Sequence, residues 1–195
     1  GNGCGSGGSA YIFRTSDGGA TYVYVAKLTA SDGVSWDQFG CSVAIDGNII
    51  VVGAHQQYSA GKGAVYVFRT SDSGSTLYST YVEVDKLTAD DVFLGYEDRF
   101  GGQVAIDGDK IVVGAYNKAG GDCSGVLGMG FYYDDSYATT DDDCAHGAVY
   151  VFLTTDSGVT YNQVAKLTAH DAAANDKFGR SVAIAGATVV VGAAR

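Results

Sequence analysis

Proline is missing altogether from the 195 residues, and methionine and tryptophan occur once each. Without proline to set turns, chain reversals fall to the 29 glycines and to Asx-type turns. Val, Thr and 14 Tyr dominate instead, a composition that favours strands. No apolar run approaches the ~20 residues of a helical membrane span, so none is expected. Basic residues are scarce: 12 Lys and Arg stand against 22 Asp and Glu, a net charge of −10. Such a surface repels phosphate backbones, which argues against nucleic acid and suits a solvated extracellular setting or cation binding. No Asn-x-Ser/Thr sequon occurs, so ordinary N-glycosylation is not expected. There is neither an initiator Met nor a signal-like opening, which reads as a trimmed product or a segment of something longer.

Sites for chemistry are equally sparse. The four cysteines, Cys4, Cys41, Cys123 and Cys144, form no CxxC pair and no zinc spacing. An even count in an acidic, β-rich chain reads as two disulfides in an oxidising compartment. Cys123 and Cys144 bracket one long insertion and are paired on that ground, Cys4 with Cys41 by elimination. His55, His146 and His170 fall at different places in the sequence pattern, and no nucleophile-elbow serine is present. Gly3-Cys4-Gly5-Ser6-Gly7-Gly8 satisfies GxGxxG but precedes a strand, so it reads as a flexible arm. No catalytic residue is expected.

What is present is a repeat. Phe39-Gly40, Phe100-Gly101 and Phe178-Gly179 each open a Val-Ala-Ile strand, a tight turn and a valine-rich run. Each run closes on Gly-Ala 14 positions after the Phe, at Gly53, Gly114 and Gly192. Asp46-Gly47-Asn48 and Asp107-Gly108-Asp109 are hairpin turns. A third strand, Ala64-Val65-Tyr66-Val67-Phe68, is echoed at 148–152 and more loosely at 10–13. A polar turn and a fourth strand follow, tagged Lys27-Leu28-Thr29-Ala30, Lys86-Leu87-Thr88-Ala89 and Lys166-Leu167-Thr168-Ala169. Four short antiparallel strands per unit describe a propeller blade, with repeats over 8–54, 61–115 and 146–193. Helix is nearly absent, with room for one turn at 172–175.

These motifs resemble the FG-GAP repeat, the blade of the integrin α-subunit propeller. The resemblance implies an all-β fold in which the Phe-Gly strand is innermost, the Gly-Ala strand second and the GAVYVF-like strand third. It also implies an extracellular or cell-surface protein. Two departures stand out. His55, Tyr116 and Ala194 replace the proline of the family's Gly-Ala-Pro, and the DxDxDG calcium loop is missing.

With those ranks, the first strands at 10–29 are a third and a fourth, two whole blades follow, and the last strands are a first and a second. The two half-blades are complementary. Three completions are open: copies joined head to tail into a filament, two copies closed into a six-bladed ring, or further blades in a longer chain. The expected partner is the chain itself, in a structural role. Tyr11, Ile12 and Phe13 are the expected donor-strand residues, and Val189, Val190 and Val191 the acceptor-strand residues. An adhesion propeller binding protein or glycan through its loops is the alternative.

Weaker candidates complete the reading. Each loop before Phe-Gly carries two carboxylates: Asp32 and Asp37, Asp91 and Asp98, Asp171 and Asp176. They are suggestive of Ca2+ but short of its six to eight oxygens, and Asp37, Asp98 and Asp176 read better as acceptors of backbone N–H groups. Residues 116–146 form a long acidic, Tyr-rich insertion loop, a place for subunit contact. Lys27, Lys86 and Lys166 read as charges guarding an outer edge. The Thr-rich turns at Thr15, Thr70 and Thr154 are candidates for O-linked glycans.

Overall fold

The computed structural model describes residues 7–55, 63–70, 80–91, 98–119 and 145–194. Twelve strands occur among them: β1 (Ala10–Arg14), β2 (Val23–Leu28), β3 (Ser42–Asp46), β4 (Ile49–Ala54), β5 (Ala64–Thr70), β6 (Tyr81–Leu87), β7 (Phe100–Asp107), β8 (Lys110–Ala115), β9 (Ala148–Leu153), β10 (Asn162–Leu167), β11 (Ser181–Ala185) and β12 (Thr188–Gly192). They make two four-stranded antiparallel sheets, β3-β4-β5-β6 and β7-β8-β9-β10, flanked by two-stranded sheets β1-β2 and β11-β12. The architecture is all-β, with two complete FG-GAP-like, propeller-like blades and a half-blade on either side. Among the described residues no helix forms; 172–175 is irregular with a turn at its end, and Asp176 takes the Ala173 N–H at 2.7 Å and closes the loop around itself.

Local chemistry accounts for the hairpins. Gly47, Gly108 and Gly186 have φ of 54°, 58° and 57°, the left-handed conformation that tight hairpin turns require. The outer turns are closed by one device used twice. Thr15 and Thr21 hydroxyls both donate to the Asp17 carboxylate, and Thr154 and Thr160 do the same to Asp156.

Blades stack face to face, so the middle strands are apolar on both sides. Every residue of β4 is buried. One face of the first blade (Ile50, Val52, Tyr66, Phe68) packs with Leu28, Ala10 and Ile12 of the β1-β2 half. Its other face (Val51, Val65, Val67, Leu87) packs on Phe100, Ile111, Val113 and Tyr150 of the second blade. Each complete blade holds an aromatic box. Phe39 lies edge-on to Tyr66 and Phe68, at 5.4 and 6.0 Å, and Phe100 lies likewise on Tyr150 and Phe152, at 5.5 and 6.0 Å.

Consecutive blades are stitched by backbone. Phe39 N–H donates to the Gly7 carbonyl at 2.8 Å, and Phe178 N–H to the His146 carbonyl at 2.9 Å. The hairpin turns also touch: Gly108 N–H donates to Asp46 at 2.6 Å, and Gly186 N–H donates to Asp107.

Candidate interaction site at the two half-blades

Among the described residues, strand β1 pairs with β2 on one side only, which leaves its other edge open. Alternation turns Ala10 and Ile12 toward the first blade and leaves Tyr11 and Phe13 outward, 56% and 57% exposed. Beside the open edge lies a cleft of about 500 Å³, lined by Ala10, Ile12, Phe13, Val43, Ile45 and Ile50 among others. Val43 and Ile45 are 60% and 64% exposed there. Their counterparts in the second blade, Val104 and Ile106, pack in the core with Ala44 and Val51 of the blade before. The cleft is therefore the space that a first and a second strand would fill.

The mirror situation holds at β11-β12, where β12 carries the open edge. Cross-strand pairs Val182–Val191 and Ile184–Val189 share one face, half-buried toward the second blade. Ala183 and Val190 share the other, and Val190 is 63% exposed. Of the three valines expected on the acceptor strand, only Val190 points outward. Of the three donor residues, Tyr11 and Phe13 do, while Ile12 is core-facing.

Phe178 opens the β11-β12 half as Phe39 and Phe100 open the complete blades. The Tyr and Phe that would box it in, two positions apart on a third strand, are absent from that half. Tyr11 and Phe13 are such a pair without a Phe of their own.

The loop carboxylates are placed individually. Asp37 and Asp176 are buried and accept the N–H of Val34 and Ala173, at 2.8 and 2.7 Å. They pin loops in which Trp36, Gln38, Asn175 and Lys177 adopt φ between 51° and 78°. Asp98, whose corresponding loop residues lie outside the described ones, takes the ammonium of buried Lys118 at 2.7 Å. Burial raises the Asp98 carboxyl above the ordinary aspartate range, against the opposing pull of Lys118.

Asp32 and Asp91 form a recurrent triad. Asp32 accepts the Tyr66 hydroxyl at 2.8 Å and Lys86 Nζ at 2.6 Å, with that ammonium 5.2 Å from the Tyr66 ring centroid. Asp91 accepts Tyr150 at 2.6 Å and Lys166 at 2.5 Å, with Lys166 5.8 Å over the ring. Lys86 hydrogen bonding, then Tyr66, lowers Asp32; burial pushes Asp91 up, but Lys166 and Tyr150 together bring it below the usual range. Burial and the neighbouring Asp hold both tyrosine hydroxyls well above their ordinary value. Lys86 and Lys166, on the edge strands β6 and β10, thus also serve as latch residues, because a carboxylate and an aromatic face lie within reach. Asp171 is exposed beside His170 at 3.5 Å. Among the described residues, no three His, Cys, Asp or Glu side chains gather as a metal would require.

Cys41 is a free thiol, its Sγ 3.5 Å from the Gly101 carbonyl oxygen. Cys4, Cys123 and Cys144 lie outside the described residues, as does the body of the 116–146 insertion. The roots of that insertion are held by an Ala119–Ala145 bridge and by buried Tyr116, whose ring carries Arg180 at 4.6 Å.

Sequence reading missed the Tyr-Lys-Asp triad, although its parts recur at fixed places in each repeat. It also missed the Gly53–Gly101 contact, which the invariant Gly-Ala closing of the repeats signalled. No curated protein matches the chain. The FG-GAP repeat pattern matches residues 22–68, 81–127 and 161–195. Repeats of that kind are typical of extracellular and cell-surface proteins. With three matches spread over most of its length and the blades folded as described, the chain belongs to the FG-GAP repeat family.

Proposed function

We propose that this chain is an extracellular structural protein whose copies join head to tail, β12 of one pairing with β1 of the next. The carrying observation is the match between cleft and strand. Exposed Val43 and Ile45 await what Ala44 and Val51 supply to the second blade, and Ala183 and Val190 are the same residues two repeats on, equally uncovered. Copying the β4-β5 register, in which Val52 faces Tyr66 and Ile50 faces Phe68, sets Val191 opposite Tyr11 and Val189 opposite Phe13. Phe178 then enters a box made by Tyr11 and Phe13. The unpaired edges gain a ladder and the apolar faces leave water.

Sedimentation and electron microscopy of the purified chain test this reading. Threads or rings are expected, and micrographs tell one from the other. Removal of residues 1–30, or Val190→Lys at an exposed position, abolishes them. Assemblies that survive both changes defeat the strand-exchange mechanism.

A second reading is a recognition module binding protein or glycan through its loops, with no catalytic role. Exposed Trp36 and Val34, on the loop before Phe39, favour it. A single, non-associating species at all concentrations is its signature.

A further inference from the structure

The triads carry an inference that rests on the head-to-tail reading and deepens it. In each complete blade, the carboxylate lies on the loop entering the blade, and the Tyr and Lys lie on its third and fourth strands. Asp32 serves Tyr66 and Lys86; Asp91 serves Tyr150 and Lys166. The half-blades divide the same set between them. Tyr11 and Lys27 are cross-strand partners on β1 and β2, with Lys27 Nζ 5.7 Å from the Tyr11 ring centroid. That distance falls between the two complete cases, so the tyrosine and lysine are already set as in a finished latch. The Tyr11 hydroxyl has Ser9 for a neighbour instead of a carboxylate. Asp171 follows Leu167 as Asp32 follows Leu28 and Asp91 follows Leu87, and it leads into the half-blade that lacks third and fourth strands.

We propose that Asp171 of one copy accepts the Tyr11 hydroxyl and the Lys27 ammonium of the next, closing at every junction the latch that the chain closes twice within itself. The carboxylate contact between neighbouring hairpin turns cannot form there. Asp46 and Asp107 each receive a glycine N–H from the following hairpin, but position 185 is alanine, so Gly47 of the next copy finds no carboxylate. The latch is then the charged contact that sets polarity and register at the junction, while the apolar faces supply most of the adhesion.

Charge exchange in the full chain tests it. Asp171→Lys and Lys27→Glu each weaken association about tenfold or more in sedimentation run over a range of concentrations. Both positions are open to solvent in one copy, so thermal unfolding of dilute protein stays unchanged. Carrying both substitutions in the same chain restores association. Wild-type protein that assembles while both single variants assemble equally well overturns the latch and leaves strand exchange standing. A double variant no better than the singles overturns it too. Wild-type protein that never associates removes both proposals together.

Discussion

The carbonyl oxygen of Gly101 stands over Gly53 so closely that a β-carbon at position 53 would lie 2.0 Å from it. The same oxygen accepts the Ser42 hydroxyl at 2.7 Å, so it cannot turn away without losing that bond. Gly114 and the Gly179 carbonyl repeat the contact at 2.2 Å in the next pair of blades. Glycine closes the repeat because the following blade begins on top of it.

Gly53→Ala therefore destabilises the fold by about 2–3 kcal/mol, since the obstacle is backbone and not a movable side chain. Gly192→Ala costs far less in a single copy, where the close neighbour of the added atom is the Ser181 hydroxyl, which can turn away, and the nearest backbone atom is Ser181 N at 3.9 Å. Urea unfolding of the two variants in dilute solution measures the difference.

Phe100 is fully buried between Tyr150 and Phe152, whereas Phe178 is half-exposed and has no such pair in its own half-blade. Phe100→Ala costs about 3–5 kcal/mol. Phe178→Ala costs about 1 kcal/mol in a single copy and is felt mainly in association. Thermal unfolding at low concentration, beside sedimentation at high concentration, separates the two effects.

Lys118→Met leaves the Asp98 carboxylate buried without its ammonium. A loss of about 3 kcal/mol is expected at neutral pH, much of it recovered in acid as Asp98 takes up a proton. The double change Lys118→Met with Asp98→Leu is less damaging than Lys118→Met alone. Chemical denaturation at two pH values checks both statements.

Asp32 is held below the ordinary aspartate value of 3.8 by Lys86 and Tyr66. A depressed folded value contributes stability that is complete above 3.8 and is lost as pH falls through the lower folded value. Asp91, also lowered, acts with the same sign. Half-exposed Asp32 gives a modest effect, well under 1 kcal/mol. Melting temperature should drop as pH is taken below 3.8, and Asp32→Asn should flatten that drop.

Much of the blade was readable from the chain. Asp46-Gly47 and Asp107-Gly108 announced hairpins because few residues other than glycine accept that backbone. The 14-position spacing from Phe to Gly announced strands of one length. The buried roles of Asp37 and Asp176 followed from their place just before a Phe-Gly strand. Asp98 also takes the ammonium of Lys118, a residue peculiar to the second repeat that reaches into its pocket. Lys86 and Lys166 were read only as edge charges, since edge lysines and latch lysines look alike on a strand, and only the nearby carboxylate reveals the second role.

The order of residues alone determined strand composition, turn positions, the rank of each strand and the division into two whole and two half blades. These depend on neighbours a few positions away, through side-chain alternation and glycine's freedom at turns. The tertiary structure alone decided which valines are covered, which glycine lies under a carbonyl, and which Asp meets which Tyr. Those partners stand 34 positions apart for Asp32 and Tyr66 and 59 apart for Asp91 and Tyr150. They meet only because the loop that enters a blade folds back over that blade's own third strand, and no local pattern in the chain encodes that distance.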